Sequence, residues 1–148
     1  MPDACPIWSL RDLYEGIDSP AVQTDIATCR KAALALAADW QGKIATISGA
    51  ELAVVITAYE TILEQLGKVQ SHAQLLFAAN TNDPAIAKHH QSVREAGSEI
   101  GAALLFVELE LARLDQGHVD GLLDDASLAR FSPWLRRVRA TAPYQLSD

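Results

Sequence analysis

Between Ile86 and Leu114 apolar or small residues return at alternating intervals of four and three: Ile86, His90, Val93, Gly97, Ile100, Leu104, Val107, Leu111 and Leu114. A helix turns about 100° per residue, so this spacing sets every one of these positions on a single stripe, whereas a strand alternates faces every second residue. A rod that carries one continuous apolar seam over roughly four heptads has to lay it against other rods. Asp83-Pro84 supplies a capping carboxylate followed by proline at the first helical position, where its missing N–H is harmless.

Two earlier segments repeat the pattern. In the first, Ser19-Pro20 precedes Val22, Ile26, Cys29, Ala33, Leu36 and Trp40, and Gly42 follows as a stop. The second opens with Ser48-Gly-Ala-Glu51, in which serine and glutamate each satisfy the other's free backbone N–H. Leu52, Ile56, Tyr59, Leu63, Leu66, Gln70, Ala73 and Phe77 are its expected buried stripe. It reads as one helix to about Ala79 with a bend at Gly67. Gly97 and Gly101 are expected to mark places where a neighbour approaches the third helix closely, since glycine inside a helix costs about 1 kcal/mol relative to alanine. After Gln116-Gly117 the segments shorten: "HVDGLLDD" and "SLARFSPWLRRVRA" read as short helices with Asp124 or Asp125 and Ser127 as caps. Leu128, Phe131, Leu135 and Val138 lie on the buried side, and Pro133 argues against one unbroken helix.

The expected fold is therefore all-α: an antiparallel bundle of three long helices over about 20–41, 49–79 and 84–116, with short C-terminal helices. Composition agrees, with 49% hydrophobic residues dominated by alanine and leucine and only 6% aromatics. The 148 residues suit a single domain, 1–148.

The net charge of −7 is unevenly placed, because residues 127–148 hold four arginines against Asp148 and leave a body of −10. Such an acidic body argues against nucleic-acid binding, which needs a basic surface to neutralise phosphates. Cys5 and Cys29 form no C-x-x-C pair, no apolar run reaches 18 residues, and "MPDACPIW" lacks the pattern of a leader. Reduced thiols, no membrane partner and a cytoplasmic location are the expectation.

Chemistry is sparse. Phosphate-cradling glycine loops and the G-x-S-x-G elbow are missing. His89 and His90 are adjacent and so diverge around the helix, and the residues four beyond them, Val93 and Arg94, complete no zinc pair. On the periodicity His90 belongs to the packed stripe and His89 faces water. Glu60 with Glu64, and Glu95 with Glu99, share helix faces, but neither pair has a histidine at the spacing a carboxylate metal bundle uses. Glu108 and Glu110 sit among apolar residues, where an unpaired carboxylate is costly, so each either pairs with an arginine or faces another domain. No residue is assigned a catalytic or metal-ligating role.

Five segments in order carry a resemblance: "WSLRDLY" at 8–14, "DWQGKI" at 39–44, "LLFAANTNDP" at 75–84, "LLFVELELARLD" at 104–115 and "RATAPYQLSD" at 139–148. Together they resemble the N-terminal helical domain of the oligoendopeptidase F family, within the thimet-oligopeptidase-like zinc metallopeptidases. Tyr144, Asn80 and His72 depart from residues that family often carries there. The resemblance implies a parent enzyme whose catalytic half holds H-E-x-x-H and zinc and hydrolyses short peptides. It implies that the present chain is a domain fragment or truncated homologue, inactive alone, that walls the substrate channel and packs on the catalytic domain of the same polypeptide. Glu108, Glu110, Arg130, Arg136, Arg137 and Arg139 are then the candidate interdomain contacts. Two other classes stay open: a stand-alone helical interaction or dimerisation module, with a homodimer of the fragment as partner, and a carboxylate metal-binding bundle.

Overall fold

In a computed structural model, residues 9–141 are described. Five α-helices follow one another: α1, Pro20–Trp40; α2, Gly49–Ala79; α3, Pro84–Arg113; α4, Gln116–Leu123; and α5, Ser132–Thr141. Short 3-10 helices occupy Ile44–Thr46 and Ala126–Phe131. Each of the three long helices packs against the other two. The all-α bundle is thus as expected, with the third helix ending at Arg113 rather than near 116.

The helix starts follow their local chemistry. Asp83 accepts the N–H groups of Ala85 and Ile86 at 2.8 and 3.4 Å. At α2 the Ser48 hydroxyl accepts the Glu51 N–H at 3.3 Å while the Glu51 carboxylate accepts the Ser48 N–H at 2.8 Å. Ser19 stands at the start of α1, but its side chain makes no capping bond, and Pro20 alone marks the boundary. Asp115 caps α4 and Asp125 caps the 3-10 helix Ala126–Phe131. Pro133 falls in the first turn of α5, where the 3-10 helix gives way to an α-helix.

The core draws on all three rods. Val22, Ile26, Cys29, Ala33 and Leu36 from α1 meet Val93, Ile100, Leu104, Val107 and Leu111 from α3 in one cluster of buried residues. On α2 the buried positions are Leu52, Val55, Ile56, Tyr59, Ile62, Leu66, Val69, His72 and Ala73. Leu63 is instead 39% exposed, Gln70 is exposed and Phe77 is half-buried. The expected stripe shared the heptad anchors Leu52, Tyr59, Leu66 and Ala73, but from Tyr59 onward it stepped four residues from each anchor where the fold steps three. Ile62 and Val69 therefore face inward in place of Leu63 and Gln70.

The α1–α2 connection is bolted to α3. Gly42 adopts φ 81°, a left-handed conformation that glycine enters without a β-carbon clash. Its N–H donates to Glu110 Oε1 at 2.7 Å, and that of the fully buried Ile44 to Oε2 at 3.3 Å. At the same C-terminal end of α3, Arg139 on α5 donates to the Ala112 carbonyl at 2.9 Å and also to those of Leu111 and Leu114. Orphan carbonyls at a helix end are thereby satisfied by a cation that also suits the helix dipole.

Glycines at helix positions differ in what they permit. A β-carbon on Gly49 would lie 2.5 Å from Asp125 Cβ, and one on Gly97 would run into the Gln70 amide nitrogen. Nothing lies within 4 Å of the corresponding position at Gly101, so the expected close approach there does not occur. Gly101→Ala is accordingly expected to stabilise the fold by about 1 kcal/mol in urea unfolding, through helix propensity alone. Gly49→Ala is expected to destabilise it, because Asp125 Cβ is fixed to backbone and cannot swing away.

Candidate functional site

Most of the residues singled out as interdomain contacts are engaged inside the domain. Glu110 holds the Gly42 and Ile44 amides, and Glu108 accepts the Tyr59 hydroxyl at 2.8 Å. Burial, reinforced by that carboxylate, pushes the Tyr59 hydroxyl well above the ordinary phenol range. The donors they hold are two backbone amides and a phenol. Arg139 caps α3, while Arg130 bonds Glu60 at 3.1 Å and lies over the Phe131 ring. Arg136 and Arg137 project from the outer side of α5, both exposed.

Three of the four paired carboxylates on the helix faces have side-chain partners, Glu60 in Arg130 and the other two on α3. Glu99 receives both Arg30 nitrogens, at 3.0 and 2.8 Å, and Glu95 accepts from Gln91 at 2.8 Å. Among the described residues no group of three or more histidine, cysteine, aspartate or glutamate side chains is placed to hold a metal ion. Cys29 is a buried free thiol whose Sγ lies 3.8 Å from the Ile62 carbonyl oxygen, and burial pushes its pKa up; Cys5 lies outside the described residues. No helix among the described residues is long and apolar enough to cross a membrane.

Two features stand out against this background. One is the outer face of α2. Ala50, Ala53, Val54, Thr57, Ala58 and Thr61 form a low ridge there, with Val54 62% exposed. Shallow grooves run along both flanks, one walled by Ala32, Ala35 and Trp40 of α1, the other by Ser127, Arg130 and Phe131. Small side chains at helical spacing let another backbone come close, and an apolar patch with a polar rim suits docking of a protein surface. Asp39 and Arg130 stand on opposite flanks and supply that rim.

The other feature is a histidine cluster between α2 and α3 that periodicity did not reveal. His72 is 1% exposed with both ring nitrogens unpartnered. Its ring meets Tyr14 edge-on at 5.2 Å and His89 at 6.3 Å. The expectation that His89 faces water is therefore overturned: it is half-buried, with Nε2 enclosed and unpartnered. His90 stacks on Phe77 at 4.6 Å and bonds Gln74 at 2.9 Å, on the other flank of the α2–α3 contact. Both histidines touch α2 because α2 packs along this part of α3, so that residues 100° apart flank a single contact ridge. Correct phasing of α2 on Val69 and Ala73 was the signal that would have placed His72 inside.

The fold and these sites define a helical-hairpin scaffold with one open apolar face and no assembled catalytic centre among the described residues. No family model, curated protein or solved structure matches the chain.

Proposed function

We propose that this chain is the non-catalytic N-terminal domain of an oligoendopeptidase F-like zinc metalloendopeptidase acting on short peptides. The observation that carries the reading is a joint between two of the resembling segments. "DWQGKI" and "LLFVELELARLD" are 60 residues or more apart in sequence, and they meet where the Glu110 carboxylate holds the Gly42 and Ile44 amides. A third segment supplies the Asp83-capped turn between α2 and α3, and a fourth supplies the buried Tyr14. The fifth segment supplies Arg139, and its part from 142 to 148 lies outside the described residues. Motifs that resemble the family thus coincide with the places where this fold needs particular residues, rather than with exposed positions free to vary.

In that role the domain does no bond-breaking. Zinc, held by the catalytic domain, would polarise the scissile carbonyl and activate water. The present residues would contribute a rigid wall that limits access to extended peptides. The open α2 face, rimmed by Asp39 and Arg130, is the surface we assign to the catalytic domain, with Arg136 and Arg137 as exposed cations beside it in the chain. A cytoplasmic setting fits the reduced Cys29.

The test is peptide hydrolysis by the 148-residue protein with added zinc, alone and mixed with a separately produced H-E-x-x-H catalytic domain of that family. The expected result is no cleavage alone and altered length selectivity in the mixture. Chelator-sensitive cleavage by the chain alone would contradict the assignment. Stoichiometric iron or zinc in tag-free protein would favour the carboxylate-bundle reading instead.

A further inference from the structure

We propose that His72 and His89 form an acid-sensitive latch, which holds residues 10–19 on the bundle while both imidazoles are neutral and releases that segment when the pair takes up a proton.

The segment before α1 is seated on the bundle through Tyr14 and the partly buried Leu13. Within it, the Leu13 and Tyr14 amides donate to the Leu10 carbonyl at 2.9 and 3.2 Å. Its grip on the bundle centres on Tyr14, 4% exposed, whose hydroxyl donates to Asp25 at 2.6 Å and whose ring packs edge-on against His72. Removing Tyr14 from its seat uncovers one side of the buried His72 ring.

The charges around the pair decide the direction. Tyr14 and its Asp25 partner face it from the segment and from α1, and Lys68 of α2 lies 4.7 Å from the Tyr14 ring centroid. His89 and His90 come from α3, and Asp18 is close enough to favour a charged His89. Asp25 is already engaged by the Tyr14 hydroxyl, and among the described residues the carboxylate acting on His89 is the exposed Asp18. An imidazolium at His72 would be buried, with support only from the Tyr14 backbone on the segment itself, and would face a second imidazole. Burial first, then His89, hold the His72 pKa below the ordinary histidine range, and the Tyr14 backbone offsets this in part. His89 is lowered as well, chiefly by burial and then by His90, against the opposing pull of Asp18. Because the closed form disfavours the proton, its stability is complete above about pH 6.5 and falls as the pH drops below that value. The two sites interact, so the pair titrates as a unit.

Amide hydrogen exchange of the full chain, corrected for intrinsic rates, tests the latch. From pH 7 to pH 5, protection of the Leu13 and Tyr14 amides is expected to fall about tenfold per pH unit for each proton taken up on opening, while amides in the middle of α3 keep theirs. In His72→Phe, which retains a ring against Tyr14, the fall should shrink to what His89 alone contributes, and in His89→Gln it should also be shallower. The ¹⁵N shifts of the imidazoles in the unmodified protein report the protonation of His72 and His89 directly, so a variant that fails to fold does not stall the test. The proposal is overturned by pH-independent protection at Leu13 and Tyr14, by an equal fall in His72→Phe, by parallel loss of protection in α3, or by a charged His72 beneath a still-protected segment.

Discussion

Leu104→Ala is expected to destabilise the protein by about 3 kcal/mol, and Leu105→Ala by less than about 0.5 kcal/mol. The two leucines are neighbours in sequence and differ only in phase. Leu104 is 2% exposed in the middle of α3, where both other long helices pack, whereas Leu105 is 53% exposed. Truncating Leu104 removes methyl groups from a site enclosed by three rods, which cannot all close on the space at once, so a cavity term adds to the lost transfer free energy. For a domain of this size the thermal midpoint should drop by roughly 6–12 °C in the first variant and stay nearly fixed in the second. Paired calorimetric scans check it, and equal losses in the two variants would mean that the phase of α3 is wrong.

Glu110→Ala is expected to cost about 2 kcal/mol, with Glu110→Gln recovering only part of it. Two backbone donors converge on this one carboxylate, and one of them belongs to Ile44, which is fully buried. Alanine leaves the N–H of the buried Ile44 without its carboxylate partner. Glutamine offers a single carbonyl oxygen and turns an N–H₂ toward the second donor. The loss should concentrate in the 41–48 connection, so exchange of the Ile44 amide should accelerate more than that of Val107. Urea unfolding gives the total, and an Ile44 amide as protected in the alanine variant as in the parent would remove Glu110 from its structural role.

What was legible in the chain followed from repetition. The seam from Val93 to Leu114 and the Ser48/Glu51 and Asp83-Pro84 starts fix three rods and their order, because short connections between long helices leave only antiparallel neighbours. On α2 two seams fitted the anchors at Leu52, Tyr59, Leu66 and Ala73. The choice between Ile62 and Leu63 was open on hydrophobicity, although Val69 against polar Gln70 pointed to the inner seam, and a one-residue difference hid His72. The glutamates at 108 and 110 were recognisable as needing partners, but backbone amides from a connection more than 60 residues earlier carry no sequence signature. Periodicity assigns a residue to a face; it does not say which loop folds over that face. Tyr14 over His72 is the same kind of fact.

In the proposed role this bundle is a scaffold that docks through the outer face of α2 on a catalytic domain. Sedimentation velocity of the 148-residue protein, with and without an H-E-x-x-H domain of the oligoendopeptidase F family, tests it most directly. Val54 is largely exposed and contributes little to the fold, so Val54→Glu serves as the matched control. The expected result is a one-to-one complex with the parent protein, none with Val54→Glu, and disappearance of any self-association once the catalytic domain is added. A self-associated species that persists in the presence of that domain, with no complex formed, would contradict it and leave a dimerisation module in its place.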